Sequence, residues 1–151
     1  MLLTITTPDQ QVMQTDFDDL LKQSKYTLLY FYPKDDTPGC TLEAQGFNAN
    51  FQDFWNYDTQ VYGVSHDPHK SHCKFQQKYW LQFPLIADTE LVLHHDSRFQ
   101  SRQEKSMYGR KYMGTMRESF LLDQQGNIVK KWEKVDTKVH AEEVLEFLKS
   151  L

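Results

Sequence analysis

Residues 30–40 are YFYPKDDTPGC, the end of an apolar strand, then a turn rich in proline, aspartate and glycine, and then a cysteine. A helical pattern begins at this cysteine, Cys40, so its thiol is predicted to lie in the first turn of a helix. N–H groups in a first helical turn have no partner within the helix, and the helix dipole is positive there. Both effects favour a thiolate, so the stretch predicts a reactive cysteine; the alternative is a small buried apolar residue.

Strands and helices alternate on both sides of this stretch, which predicts an α/β fold with a central mixed sheet. Residues 26–32 form a continuous apolar run, typical of a central strand that is covered on both faces. The other predicted strands are residues 2–6, at an edge of the sheet, residues 60–65, residues 83–87, and a hairpin of residues 119–122 and 127–134. We expect a single domain over residues 1–151.

Four helices are predicted outside residues 88–110. Residues 17–21 form a short one, and a second follows the reactive cysteine. Asp67 at the N-cap and Pro68 at the first helical position open a third helix, which extends to about residue 79. Thr137 is predicted to cap the last helix.

The helix after the reactive cysteine is predicted to be amphipathic. Its apolar residues recur at helical spacing and are expected in the core. They are Ala44, Phe47, Phe51, Phe54 and Trp55. Residues 88–110 are predicted to be helical and then irregular.

Composition excludes several classes of function. Apolar residues make up 39% of the 151 residues and aromatic residues 14%, as in a folded domain with a core. The net charge of −4 and the lack of a basic stripe exclude nucleic acid and anionic membrane surfaces as expected partners. No apolar run is long enough to span a bilayer, and residues 1–9 lack the features of a signal peptide, so we expect a cytoplasmic protein.

The sulfur of Cys40 is predicted to point into the protein. On its helix Cys40 shares a side with Ala44 and Phe47, which places the thiol at the floor of a pocket. A buried thiolate requires a cation nearby, and Arg117, just before strand 119–122, is the best-placed candidate.

Ionisation alone does not make a thiol an enzyme. Full ionisation of a thiol raises its reaction rate roughly tenfold at neutral pH, whereas enzymes commonly accelerate their reactions by ~10⁶ or more. Groups that hold a substrate and stabilise its leaving oxygen must supply the rest. The Thr37 hydroxyl, the Cys40 N–H and the Arg117 guanidinium are candidates, and Pro33 would shield the pocket and stiffen the turn.

Residues 31–44, FYPKDDTPGCTLEA, resemble the active-site segment of the bacterioferritin-comigratory-protein (peroxiredoxin Q) group of peroxiredoxins. The P-x-x-x-T-x-x-C signature of that superfamily is present as Pro33, Thr37 and Cys40. The resemblance covers nearly the whole chain, with the first 25 or so residues least similar. It continues through residues 62–65, 71–72, 83–88 and 117–123.

This resemblance implies a thioredoxin-like fold and thiol peroxidase activity without metal or haem. By analogy, Cys40 is the peroxidatic cysteine, which attacks hydrogen peroxide or an organic hydroperoxide and becomes a sulfenic acid. Pro33, Thr37 and Arg117 match the other active-site positions, and Glu43 matches as a structural residue or one that tunes Arg117. The expected reductant is a thioredoxin-type protein or a small thiol, and we expect a monomer because nothing in the sequence marks an interface.

The sulfenic acid must then meet a second thiol. Many members of the group carry this resolving cysteine five residues after the first, but here that position is Gln45. Other members place it on the next helix, where this chain has Cys73, although helical angles predict that Cys73 faces solvent. A Cys40–Cys73 disulfide, a one-cysteine cycle with an external thiol and an intersubunit disulfide all stay open.

A second class of function is a non-enzymic redox sensor or thioredoxin-like interaction module that uses Cys40 for mixed disulfides. A metal site is not predicted, because Pro68 interrupts the spacing of the histidines beside Cys73. These histidines, at positions 66, 69 and 72, are expected to be solvated surface residues.

Overall fold

The computed structural model describes residues 1–151, which form nine strands and five helices. The strands are β1 (Leu2–Thr6), β2 (Val12–Asp16), β3 (Tyr26–Phe31), β4 (Thr59–Ser65), β5 (Leu85–Ala87), β6 (Arg102–Met107), β7 (Arg110–Thr115), β8 (Glu118–Leu122) and β9 (Ile128–Trp132). The helices are α1 (Phe17–Leu21), α2 (Pro38–Ala49), α3 (Phe51–Asn56), α4 (His69–Tyr79) and α5 (His140–Lys149). None of the five helices has the length and apolarity needed to cross a membrane.

Seven strands form one mixed sheet in the order β2-β1-β5-β4-β3-β8-β9. Strands β3, β4 and β5 run parallel, and the other neighbours pair antiparallel. The predicted mixed sheet is therefore confirmed. The expectation that β1 is an edge strand is wrong, because β2 covers its outer side. Strand β2 escaped prediction since its side chains are exposed or half-buried and give no buried alternation.

Strand β3 lies centrally because both of its faces are apolar. Leu28 and Tyr30 belong to one core cluster, whereas Leu29 and Phe31 belong to the cluster on the opposite face of the sheet. Tyr30 lies across Gly63 of β4, where an added Cβ would stand 2.9 Å from the tyrosine hydroxyl. The glycine thus leaves room for the tyrosine ring. Residues 32–40 follow β3 directly, so they lie at the end of the sheet where the parallel strands finish.

The helix predicted after Cys40 is two helices. Helix α2 ends at Ala49 and α3 begins at Phe51, with Asn50 between them and its amide donating to the Gly46 carbonyl at 2.8 Å. Because the break changes the helical phase, Phe54 is buried but Trp55 is 62% exposed. The prediction of Trp55 as a core residue is wrong.

Two predicted helix caps are also wrong. Helix α4 begins at His69 with Pro68 at its N-cap, and α5 begins at His140, beyond Thr137. The Asp67 carboxylate instead accepts a hydrogen bond from the Asp35 N–H at 2.8 Å, so it binds the loop before α2 rather than capping α4.

Residues 88–115 differ most from expectation. No helix forms there; turns lead into a two-stranded hairpin of β6 and β7. Both strands are polar and largely exposed, so the sequence carries no buried alternation. The hairpin turns at Tyr108 and Gly109, both at positive φ (52° and 77°), as a tight two-residue turn requires.

The predicted hairpin of residues 119–122 and 127–134 and the apolar face of the last helix are confirmed. Strands β8 and β9 pair as an antiparallel hairpin. Helix α5 buries Val144, Leu145 and Leu148 on one face, in the core cluster that also contains Cys40. On β9, the Trp132 ring meets the His140 ring edge-on, with centroids 5.8 Å apart.

Candidate active site

Cys40 is the third residue of α2 and is 1% exposed. The chain enters this helix through Thr37 at the N-cap, Pro38 and Gly39, a start that leaves the first N–H groups without partners inside the helix. The Thr37 side chain makes no capping hydrogen bond. The structure therefore places a buried thiol in the first turn of a helix, beside N–H groups that have no partner within the helix, as the sequence predicts.

Arg117 contacts Cys40 directly. Its Nη2 donates to Sγ at 3.3 Å, and its Nη1 donates to Glu43 Oε1 at 2.8 Å. Antiparallel pairing of β8 with β3 sets Glu118 opposite Phe31, so Arg117 lies at the end of β3 where the loop to α2 begins. We call Cys40, Glu43 and Arg117 the Cys40 site.

Gly39 leaves room for the guanidinium. A Cβ on this residue would stand 3.3 Å from Arg117 Nη2, tighter than most such contacts. A larger residue at this position would displace the arginine from the thiol.

Glu43 is buried and only half satisfied. Burial raises the pKa of its carboxyl to about 7, against the opposing charge of Arg117. Its Oε2 has no hydrogen-bond partner. Burial alone would lower the pKa of Arg117, but the negative charges of Glu43 and the Cys40 thiolate raise it above its ordinary value. The guanidinium is thus a permanent cation between two acidic groups.

Thr37 and Pro33 lie in the loop before the thiol, and both are half-buried. The Thr37 hydroxyl donates to the Lys34 carbonyl at 2.9 Å. Its hydrogen is therefore engaged, and toward a substrate the hydroxyl offers the lone pairs of its oxygen rather than a donor.

A second polar group fixes the same loop from the other side. Asp35 accepts from the Tyr32 hydroxyl at 2.6 Å, the Ser71 hydroxyl at 2.7 Å and the His72 Nδ1 at 2.7 Å. His72 Nε2 faces the Ile86 carbonyl at 3.1 Å, so each ring nitrogen lies within hydrogen-bond distance of an oxygen. We call Tyr32, Asp35, Ser71 and His72 the Asp35 cluster. It ties the loop to α4.

The prediction that His72 is a surface histidine is wrong, because its side chain is fully buried in this cluster. His94 is buried as well, with Nδ1 at 2.6 Å from Asp88 and Nε2 at 2.8 Å from Thr115. The expectation holds for His66, which is exposed. No group of three or more histidine, cysteine, aspartate or glutamate side chains is arranged to hold a metal ion.

Cys73 lies on α4, away from these contacts. Both cysteines are free thiols. Cys73 is half-buried rather than directed to solvent, because its Sγ packs 3.4 Å from His69 Nε2 and 3.7 Å from the Gln10 carbonyl. Burial raises the pKa of this thiol.

The structure thus brings Cys40 and Arg117 into contact, with Thr37 at the cap of the same helix and Pro33 in the preceding loop. Sequence reasoning missed the roles of Asp35 and His140. Burial and the charge of Arg117 lower the pKa of His140 to about 4, and its Nε2 lies 2.7 Å from the Ser119 hydroxyl. A histidine alone on an apolar helix face was the available signal for His140.

Comparisons with known proteins show the family of this chain. The model of the AhpC/TSA family matches residues 2–131. Peroxiredoxin Bcp of Bacillus subtilis is 42% identical over 129 residues, which cover 85% of this chain and 81% of that protein. Peroxiredoxin Bcp of Escherichia coli strain K12 is 35% identical over 142 residues, covering 94% and 88%.

Solved structures give the same result. Peroxiredoxin Q of Xanthomonas campestris superposes with a TM-score of 0.87 at 37% identity, covering 99% of this chain and 90% of that one. A structure of the bacterioferritin comigratory protein of the same organism, described with its alkyl peroxide reduction activity, has a TM-score of 0.86 at 36% identity, with the same coverage. The thioredoxin-like fold that the resemblance implies is therefore confirmed.

Proposed function

Because the chain belongs to the AhpC/TSA family, we propose that Cys40 is its peroxidatic cysteine, served by Arg117, Thr37 and Pro33. The chain is a thiol peroxidase of the peroxiredoxins that reduces hydroperoxides, and not a non-enzymic sensor. One observation carries the assignment of residues: the guanidinium of Arg117 donates to the sulfur of Cys40 at 3.3 Å, at the start of a helix. Residues 1–151 then constitute one thioredoxin-like peroxiredoxin domain.

The proposed reaction begins with the Cys40 thiolate attacking the terminal oxygen of a hydroperoxide. A sulfur–oxygen bond forms, the oxygen–oxygen bond breaks, and the leaving oxygen takes a proton to become water or an alcohol. Arg117 stabilises the thiolate before attack and the leaving oxygen during it. The oxygen of Thr37 accepts the hydroperoxide O–H, and Pro33 limits the entry of water into the loop.

Stopped-flow mixing with hydrogen peroxide tests this assignment. The natural chain and a Cys73→Ser variant should consume the first equivalent of peroxide at the same rate, and Cys40→Ser should not react. A rate no faster than that of free cysteine, or a reaction that survives in Cys40→Ser, would overturn the role of Cys40.

We assign the resolving step to Cys73, which attacks the Cys40 sulfenic acid and closes an intramolecular disulfide. Gln45 is exposed on α2 and supplies no thiol. Cys73 is the only other cysteine in the chain, so an intramolecular disulfide requires it. Non-reducing mass spectrometry after one equivalent of peroxide should reveal a peptide that joins the two cysteines. Persistent Cys40 sulfenic or sulfinic acid, with Cys73 still open to alkylation, would favour the one-cysteine cycle with an external thiol.

A thioredoxin-type dithiol protein is the proposed reductant of that disulfide, and a monomer in the cytoplasm is the proposed state. Two free thiols suit a reducing compartment. Turnover driven by thioredoxin and its reductase should exceed turnover with glutathione at matched concentration. Equal rates with the small thiol would remove the preference for a protein reductant.

A further inference from the structure

Cys73 lies at the centre of another polar group, distinct from the Asp35 cluster and formed by residues of α4 and β1. Its sulfur lies 3.4 Å from Nε2 of His69, one helical turn earlier on the same face of α4. The other ring nitrogen of His69, Nδ1, lies 2.7 Å from the hydroxyl of Thr6 on β1. A thiol, an imidazole and an orienting hydroxyl thus stand in series, an arrangement that activates nucleophiles in many enzymes.

One of the two neutral tautomers of His69 suits removal of a proton from Cys73. When Nδ1–H donates to the Thr6 oxygen, Nε2 carries a lone pair that faces the Cys73 thiol. Thr6 is fully buried at the end of β1, so the hydroxyl that fixes the ring is itself fixed. The carbonyl of Gln10, the other group near the sulfur, can accept a hydrogen bond but cannot carry a proton away.

An acceptor is needed because the thiol is protonated at rest. Burial raises the pKa of Cys73, so very little thiolate is present at neutral pH. The polar groups that contact His69 are Cys73 on its own helix and the uncharged Thr6 on β1, and neither places a further charge beside the ring.

We propose that His69 is the proton acceptor for Cys73 in the resolving step, and that Thr6 positions its ring. This inference rests on the proposed role of Cys73 as resolving cysteine. Nε2 takes the thiol proton, the thiolate attacks the sulfur of the Cys40 sulfenic acid, and a sulfur–sulfur bond forms as the sulfur–oxygen bond breaks. The hydroxide that leaves takes the proton back and departs as water, so the peroxide is the only oxidant consumed.

The Cys73 group stays intact during this step because α4 is the firmly held partner. Gln76 Nε2 donates to the Thr6 carbonyl at 3.1 Å and to the Phe83 carbonyl at 3.3 Å, and His72 bonds both Asp35 and Ile86. The first turn of α2 has no side-chain cap and holds Cys40 through Arg117, a contact that oxidation of the sulfur alters. The start of α2 therefore unwinds toward a fixed Cys73.

Single-turnover measurements on the full chain test the proposal. After one equivalent of hydrogen peroxide, timed acid quenching and mass spectrometry follow first the oxidation of Cys40 and then the Cys40–Cys73 disulfide. His69→Gln should leave the first step unchanged and slow the second about 10²-fold at pH 7, with the deficit shrinking as the pH rises and Cys73 ionises unaided. Thr6→Val, which keeps the ring but not its orienting oxygen, should slow the second step less. The matched control is His66→Gln, an exposed histidine three residues before His69, which should change neither step.

A His69→Ala variant separates chemistry from folding. Added imidazole should restore part of its disulfide-forming rate, which a merely structural role of His69 would not allow. Equal disulfide rates in His69→Gln and the natural chain at all pH values would overturn this inference alone. Absence of the disulfide in the natural chain would overturn the role of Cys73 as well, so the two failures are distinguishable.

Discussion

The Asp35 cluster and the Cys40 site flank the same loop, residues 32–40, and they differ in how completely their polar atoms are paired. In the Asp35 cluster both carboxylate oxygens have donors, and both nitrogens of His72 have acceptors. In the Cys40 site Glu43 Oε2 has no partner, and neither has the hydroxyl of the nearby Tyr30. The loop is thus anchored on the side where buried polar atoms are paired, and the unpaired polar atoms lie on the side that we propose binds the substrate.

This contrast explains how one short loop serves two needs. An anchor must resist local unfolding, so its buried polar atoms are hydrogen-bonded. In the proposed function the Cys40 site binds a peroxide and its cysteine then moves to Cys73, which a site held as firmly as the anchor would not allow.

The largest expected effect is on the anchor. Asp35→Asn leaves His72 facing a neutral amide, and breaking a buried pair in this way should cost about 3–5 kcal/mol in the free energy of unfolding. Urea denaturation measures it. The matched control is the adjacent Asp36→Asn, whose carboxylate meets Lys78 and Tyr79 at the surface and whose loss should change stability little. Similar losses in both variants would contradict the anchoring role of Asp35.

The next effect is on the rate of peroxide reduction. Arg117→Met removes the donor to Cys40, and the second-order rate constant with hydrogen peroxide should fall by about 10²–10³. Arg117→Lys retains the charge but lacks the planar guanidinium that contacts both Glu43 and Cys40. Its rate constant should therefore lie between those of the natural chain and of Arg117→Met. The control is Arg110→Met, an exposed residue of the β6–β7 hairpin. A full rate in Arg117→Met, measured by stopped-flow, would remove the guanidinium from the mechanism.

The third effect depends on pH. The pKa of Glu43 is about 7 in the fold and 4.5 for the ordinary side chain, so the unfolded chain loses this proton first as the pH rises. The natural chain therefore loses stability between pH 4.5 and 7, by about 3 kcal/mol in total. Glu43→Gln does not titrate and should be more stable above pH 7, with the difference vanishing below pH 4.5.

Urea denaturation of both chains across pH 4–8 measures this difference, with the exposed Glu146→Gln as control. A constant difference over the whole range would show that Glu43 titrates normally.

The smallest effect compares two neighbouring tyrosines. Tyr32→Phe removes a donor from Asp35 and should cost about 1–3 kcal/mol, because an oxygen is left unpaired. Tyr30→Phe removes a hydroxyl that has no partner and should leave stability unchanged or raise it by up to about 1 kcal/mol. Thermal or urea unfolding of the two variants gives the comparison directly. A larger loss in Tyr30→Phe would reverse the contrast between the two regions.

Much of the fold could be predicted because apolar patterning reports burial. Strands β3 and β8 are almost entirely buried, β9 was found through the turn that joins it to β8, and α1 was predicted with the bounds that the structure has. Strands β2, β6 and β7 could not be found, since their side chains are largely exposed and their partners are defined only by backbone pairing.

The candidate site divides in the same way. Cys40 was predictable because its environment is set by a local strand–turn–helix sequence, and Arg117 because it precedes a recognisable strand. The pairing of Asp35 with His72 joins residues 37 positions apart, and Thr6 with His69 joins residues 63 apart. Such pairs depend on the order of strands in the sheet, which no local pattern contains.

The edge-on contact between Trp132 and His140 makes the chain its own optical reporter. A neutral imidazole leaves indole emission largely intact, whereas an imidazolium quenches it. Because burial and, to a smaller extent, the charge of Arg117 lower the pKa of His140 to about 4, acid quenching of Trp132 is expected near that pH. In a chain whose other two tryptophans are replaced, displacing the guanidinium should raise this midpoint by only part of the shift, because burial, the larger cause, remains.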